Sequence, residues 1–364
     1  AVLIAACTPQ PPPDGTPAIF SFSANRTTDP APLTTAFSWS IGDADTSVLT
    51  CRLDLDGDGT YEVTIEACTS SSVRSATFTS PGTHQVRLQV FDGNTTVTSD
   101  PISLTVGAPS SDPYAISVRF NGTLTGPQEA AFDDAAARWS QVVRTGLPDL
   151  PINVPANLCG SGAPAYAGTV DDLMIEATIQ PIDGPGGILG SAGPCLTRLA
   201  GGLPVYGAMR FDSADVADLE ANGQLETVIL HEMGHVLGIG TVWRSLLSGA
   251  GTSNPIFTGL AARGAWDALA GGSGVSVPVA NTGGPGTADA HWRESVFDNE
   301  LMTGYIDSGS NPLSAVTVGS LADIGYGVDL AASDPYGRPA LRTPATDGRK
   351  LETQLIFPIG QVAG

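Results

Sequence analysis

Between Gln224 and Gly240 the chain reads QLETVILHEMGHVLGIG, and His231, Glu232 and His235 are the residues in it that can do chemistry. On a helix, residues four apart share one face a single turn apart, so two imidazoles at this spacing can hold one ion. A glutamate one step round from the first imidazole then reaches a water on that ion. Zinc, Zn²⁺, is the metal such a donor set favours. Leu225, Ile229, Met233 and Val236 fall on the opposite face and predict that the helix is buried there, which puts the imidazoles on a packed, rigid element.

Two histidines do not complete a catalytic zinc site, which normally takes three protein ligands and leaves one position open. In the pattern HExxHxxGxxH the chain turns at a glycine and a third histidine arrives three residues later. Here Gly238 stands at the turn, but Thr241 occupies the histidine position. No glutamate occurs between Val236 and Arg293 that a following helix could offer instead. The only histidine after His235 is His291, with Asp267 and Asp289 as the substitutes. Asp289 reads alternatively as an acceptor that supports His291, and Asp267, in RGAWDALAG, as a helix surface residue. The fourth histidine, His84, lies in a β-rich segment and reads as an exposed strand-end residue. With no spare histidine and no GxSxG motif beside one, nucleophilic serine chemistry has no support.

His291 lies in AHWRESVFDNELMTGYI, and at this point the sequence resembles the leishmanolysin family. In that family a long insertion separates the turn glycine from the third histidine, and a methionine-containing turn follows. Gly238, His291 and Met302 match those features, and the resemblance spans residue 116 to about 330. It implies a metzincin-type zinc endopeptidase of α+β fold acting on protein or peptide substrates. It further implies that His231, His235 and His291 hold one catalytic Zn²⁺, that Glu232 is the general base, and that Met302 packs beneath the metal. Tyr305, three residues past Met302, reads better as a wall residue than as an oxyanion donor. The chain lacks a recognisable propeptide with a free cysteine, so the family's latency mechanism does not carry over.

The elements that must position these residues belong to a chain of 364 residues, enough for two or three domains at about 100 to 200 residues each. Sixteen basic against thirty-seven acidic residues give a formal charge of -21, the wrong sign for a nucleic-acid partner. No apolar run approaches the roughly 18 to 20 residues of a membrane-spanning helix.

Five cysteines make two pairs and a remainder, and none forms a CxxC motif. Cys51 with Cys68 and Cys159 with Cys195 pair within one segment each, which suits an oxidising compartment. Cys7 ends the run AVLIAAC and precedes a Pro-rich stretch, and residues 4 to 7 resemble the lipobox of bacterial lipoproteins. That resemblance implies membrane attachment through a lipid on Cys7, and the other reading is a truncated secretory leader. Either way the protein is extracytoplasmic, secreted or anchored at a bacterial cell surface.

Residues 1–7 therefore read as the end of a signal peptide and 8–17 as a Pro-rich linker. From 18 to 107 short β-rich runs (AIFSFSA, AFSWSI, TYEVTIEA, RSATFTS, THQVRLQVFD, ISLTV) alternate with turn clusters and predict a β-sandwich. SWSIGDADT, DLDGDGTYE and THQVRLQVFDG resemble Ig-like domains of the polycystic-kidney-disease type, which implies a cell-surface partner for this module; the first departs from the usual Trp-Asp-Phe-Gly-Asp. Asp54, Asp56 and Asp58 have the alternate spacing of a calcium loop, but the twelfth position is Ile65, with Glu62 too early and Glu66 one too late. A solvated acidic hairpin is the better reading there, with Ca²⁺ as the alternative.

Residues 108–115 read as a linker and 116–364 as the protease domain. Ala115 to Phe120, Leu173 to Ile179 and Val205 to Phe211 predict strands, and Gln128 to Val143 a helix. A Gly/Pro-rich excursion separates the last two strands, and Gly-rich loops run from Gly249 to Gly286, more irregular chain than a compact domain normally tolerates without a functional reason. The expectation is a multidomain protein, an N-terminal all-β Ig-like sandwich followed by an α+β metzincin-type zinc protease. Its rivals are a surface adhesion protein with an inactive protease-like scaffold and a zinc hydrolase of a non-peptide amide.

Overall fold

A computed structural model describes residues 10–46, 48–269, 276–284, 286–337, 349–351 and 353–363. Cys7 and its apolar run lie outside the described residues. Among the described residues strands predominate, with six α-helices, and no helix is long and apolar enough to cross a membrane.

The N-terminal region holds β1 (Ala18–Ala24), β2 (Thr28–Pro30), β3 (Leu33–Gly42), β4 (Leu49–Asp54), β5 (Val63–Cys68), β6 (Val73–Phe78), β7 (Gly82–Phe91), β8 (Thr96–Thr98) and β9 (Ile102–Gly107). They form two sheets, β1-β3-β6 and β2-β9-β7-β4-β5, with β8 paired to β7. Leu33, Phe37 and Trp39 from the first sheet meet Leu53, Val86, Leu88 and Leu104 from the second in one core. A disulfide joins Cys51 on β4 to Cys68 on β5. His84 is not a free strand end: it lies within β7, half-buried, with its ring 5.0 Å from that of Phe78. Burial along β3 departs from alternation, since all five residues from Leu33 to Phe37 are buried. A strand covered on one face alternates, so this stretch must be covered on both.

The second region runs β10 (Ile116–Phe120), α1 (Gly126–Val142), β11 (Leu150–Val154), β12 (Tyr166–Val170), β13 (Leu173–Gln180), β14 (Gly190–Arg198), β15 (Pro204–Asp212), α2 (Ser213–Ala221) and α3 (Leu225–Leu237). It continues with β16 (Leu247–Ser248), β17 (Ile256–Phe257), α4 (Leu260–Leu269), β18 (Val277–Pro278), α5 (Glu294–Phe297), β19 (Tyr305–Ile306) and α6 (Ala315–Ile324). The distal strands are β20 (Arg349–Lys350), β21 (Thr353–Leu355) and β22 (Gly360–Val362). The main sheet has the order β10-β13-β15-β14-β21, with β22 also on β14; β10, β13 and β15 are mutually parallel and β14 is antiparallel to β15. β14 lies inside the excursion read from sequence as irregular.

Helix α1 begins earlier than its apolar spacing suggests, because Thr125 and Gln128 form a capping box with Pro127 in the first turn. Phe132 of α1 packs edge-on against Phe120 and Phe211, which seats the helix on the sheet. The opposite face of the sheet is covered by the β11–β12 hairpin and by the Cys159–Cys195 disulfide. The segment read as a linker ends in packed structure: Tyr114 is buried edge-on against Tyr326, and the Ala115 amide donates to Asp172 at 2.6 Å.

What covers the second face of β3 is α4, together with the chain around Val328. Thr34 Oγ1 donates to the Val328 carbonyl (2.7 Å), Ser75 Oγ to the Ala261 carbonyl (2.8 Å), and the Val73 amide to Asp267 Oδ2 (2.7 Å). Asp267 is therefore not a helix surface residue: it is fully buried where α4 meets β6. On its other side α4 lies against α6, whose Asp323 accepts from the Ala261 and Ala262 amides (2.8 and 2.9 Å) and so caps the start of α4. The helix is wedged between the two regions.

Candidate metal centre

Helix α3 carries His231, Glu232 and His235, all fully buried. Leu225, Ile229, Met233 and Val236 anchor it in the core, and α1 braces it through Trp139, whose Nε1 donates to the Leu230 carbonyl at 2.9 Å. Gly234, between the histidines, leaves room for a neighbour: a Cβ there would stand 2.9 Å from Met302 Sδ and 3.1 Å from the Trp139 ring. Met302 thus packs directly against the histidine helix, at the one position without a side chain.

The helix stops at Gly238, whose φ of 120° is one that L side chains rarely adopt. The turn it makes brings the Ile239 carbonyl back to His235 Nδ1, at 2.8 Å. Tyr326 Oη caps the same end by donating to the Leu237 carbonyl (3.0 Å).

His291 comes from irregular chain before α5, yet its ring meets the other two. The three Nε2 atoms form a triangle, with His231 to His235 and His231 to His291 both 3.1 Å and His235 to His291 3.0 Å. Each Nδ1 faces a backbone carbonyl instead: Leu301 for His231 (2.6 Å), Ile239 for His235 (2.8 Å) and Thr287 for His291 (3.2 Å). A carbonyl only accepts, so each Nδ1 carries the proton and each Nε2 presents a lone pair. Three buried lone pairs aimed at one point repel unless a cation lies among them. Zn–N bonds of roughly 2.0 to 2.1 Å suit nitrogens this far apart, and carbonyl-anchored imidazoles are the usual form of zinc-binding histidine.

Burial strengthens that preference for the neutral ring. It lowers His231 to about 3, with His235 adding to the effect, and lowers His235 to about 4. His291 falls well below the ordinary histidine value, through burial first and then its two neighbours. All three rings are neutral at ordinary pH, as metal-binding imidazoles must be.

Residues 275–335, which contain His291 and Met302, match the family model for leishmanolysin. This segment is leishmanolysin-like. The match supports a zinc metalloprotease and, by the chemistry of proteases, peptide substrates. It covers the third-histidine half of the centre, and the HExxH helix lies before it. No curated protein matches the chain.

Within and around the leishmanolysin-like segment the remaining candidates fall in different places. Asp289 is not an acceptor for His291, because its Oδ2 takes the Gly251 amide (2.8 Å) and its carbonyl takes Trp243 Nε1 (3.1 Å). Thr287 does that work. Thr241, at the position of the expected third histidine, donates its hydroxyl to the His235 carbonyl (2.8 Å). Tyr305 is half-buried in β19, in register with Lys350 of β20.

Two acidic groups lie apart from the histidines. Asp54, Asp56, Asp58 and Glu62 come together, so Glu62 is not too early in space. Their hydrogen bonds build the loop: Asp54 accepts from the Gly57 and Gly59 amides, Asp58 from Thr60, and Glu62 from Leu55. Glu294, Asp298 and Asp307 form the second group, where burial pushes the Glu294 carboxyl up to about 7, with Asp307 and then Asp298 adding to it.

Sequence reasoning did not single out Glu300. It is fully buried, and its oxygens accept from the Met302 amide (2.6 Å), the Ser314 amide (3.1 Å) and hydroxyl (2.7 Å), and the Thr317 hydroxyl (2.5 Å). The signal available was an acid two residues before Met302.

Proposed function

We propose that the protein is an exported zinc endopeptidase in which His231, His235 and His291 bind the metal and Glu232 is the general base. The observation that carries this reading is the triangle of Nε2 atoms, each imidazole locked by a carbonyl on its far nitrogen. Zinc in such a site supplies Lewis acidity, which polarises a scissile carbonyl and lowers the pKa of water. The chain's own part is to hold three neutral rings in a fixed orientation, so that little reorganisation is needed at the moment of reaction. Glu232, next to His231 on the same rigid turn, takes the proton of the attacking water and hands it to the leaving amine. Met302 fills the space under the ligands, and Tyr305 forms part of the substrate wall.

In the same reading the N-terminal sheets are an Ig-like sandwich of the polycystic-kidney-disease type that presents the enzyme to a cell-surface partner, and Cys7 carries a lipid. The two disulfides support an oxidising, extracytoplasmic location.

The test is metal analysis together with casein cleavage by the wild type and by Glu232→Ala. One zinc per chain in both proteins, with cleavage lost in the variant, is the expected result. Equal cleavage by both would sink the general-base role. Zinc in a wild type that leaves casein intact would point instead to a non-peptide amide or to a binding scaffold.

A further inference from the structure

We infer that Glu300 is a positioning residue that fixes and electronically tunes the metal ligands from a distance, an inference that rests on the three-histidine site proposed above. The argument starts from donor counting. Four hydrogens converge on this buried carboxylate, from two backbone amides and two hydroxyls. A carboxylate, with two acceptor oxygens and no hydrogen of its own, can receive all four. Burying a carboxylate without a cation is costly, and none of the ion pairs among the described residues involves Glu300. The chain meets that cost at a point where two connections lead to the ligands.

The first connection passes through one peptide unit. Glu300 Oε2 grips the amide of Met302, and the carbonyl of that same peptide, Leu301 O, accepts from His231 Nδ1 at 2.6 Å. The Leu301–Met302 peptide plane is thereby clamped between an anion at its N–H and an imidazole at its oxygen. A charge-assisted bond at the N–H polarises the amide and makes its oxygen a stronger acceptor. A stronger acceptor at Nδ1 raises the basicity of Nε2, the atom offered to the metal.

The second connection passes through Thr317. Trp292 Nε1 can only donate, and it donates to Thr317 Oγ1 at 2.7 Å. The single Thr317 proton must then point to Glu300. Trp292 follows His291 directly, and its amide donates to the Met302 carbonyl (2.9 Å), so the residue is held by its backbone as well as by its indole. Glu300 thus reaches His231 through the Leu301–Met302 peptide and His291 through Thr317 and Trp292. One residue ties the helix-borne half of the site to the loop-borne half.

The experiment measures zinc affinity of the full chain by chelator competition, and the visible spectrum of the cobalt(II)-substituted protein, both well below the melting temperature. The proteins are wild type, Glu300→Gln, Thr317→Val and Thr317→Ser. Glu300→Gln puts a donating amide among donors, and it should weaken zinc by roughly 10- to 100-fold and shift the cobalt bands. Thr317→Val keeps the side-chain shape but cuts the path to Trp292, and it should weaken zinc by a smaller factor. Thr317→Ser restores the hydroxyl and should return affinity and spectrum to the wild-type values. A merely structural role would lower the melting temperature and leave the affinity of the folded protein and its spectrum unchanged. Wild-type affinity and spectrum in folded Glu300→Gln and Thr317→Val would overturn the inference; if Glu300→Gln does not fold, the valine and serine pair decides it. A wild type that binds no metal would refute the site itself, a separate outcome.

Discussion

The two halves of the proposed metal centre are built by different means. His231 and His235 sit one turn apart on α3, where helical geometry alone aligns them and the core holds the helix. His291 comes from irregular chain after a long insertion, and no helical repeat aims it. Its position depends on Thr287 at Nδ1, on the Trp292 indole bonded to α6, and on the turn that carries Met302. Local periodicity delivers two of the three imidazoles; the third is delivered by tertiary structure.

The sharpest way to break that comparison is to remove one ligand from each half. His235→Ala and His291→Ala should each weaken zinc by at least about three orders of magnitude, some 4 kcal/mol. Asp289→Ala, which loses only a bond to the Gly251 amide, should stay within about tenfold of wild type. A His291→Ala protein that keeps one zinc per chain and cleaves casein would show that the loop-borne half does not bind metal.

A contact that serves neither half can be tested next, where α4 meets β6. Asp267→Ala removes a buried acceptor that takes the Val73 amide, and the variant should lose about 1 to 3 kcal/mol in urea unfolding. Zinc affinity of the folded protein should hold. If Asp267 were a solvated helix residue, as its sequence context suggests, the unfolding midpoint would not move.

The smallest effect is a dependence on pH in the metal-free protein. In the folded state His231 and His235 titrate at about 3 and about 4, against about 6.5 when unfolded. The unfolded chain therefore binds more protons between pH 6.5 and 4, and the stability contributed by these rings, present above 6.5, is lost as pH falls through that window. Glu294 and Asp323, raised by burial to about 7 and about 6, act in the opposite direction, so the comparison needs a variant. Stability of His235→Asn should fall less steeply between pH 6.5 and 4.5, by up to about one proton in slope. Identical slopes would mean that the buried rings are not held neutral.

Much of this was legible in the sequence, for physical reasons that also explain what was not. Helix α3 carries a strong periodic signal, and His291 was the one histidine left downstream. The apolar runs of the N-terminal region mark most of its strands; β4 (LTCRLD) alternates as well as the others but runs straight into the acidic loop and reads as part of it. β14 carries no strand signal because GSAGPCLTR is small and mixed, with Gly and Pro inside it, and is buried along nearly its whole length instead of alternating. Asp267 reads as a surface residue because its partner lies 194 residues away. Glu300, in FDNELMTG, stands beside Asp298 and Asn299 like any surface acid and declares nothing until its four donors are in place.

The wedge formed by α4 also sets a clock on the newborn chain. The face of β3 and β6 that α4 covers is complete once residue 78 has been made, but Asp267 arrives much later. At roughly 5 to 20 residues per second, synthesis leaves that face bare for on the order of ten to forty seconds. The polar rim of Thr34, Ser75 and the unpaired Val73 amide then faces water, and the strand edge there is open to pairing with another chain. Folding of the N-terminal region and its final stability are thus separated in time, with the second waiting on a helix from the second region.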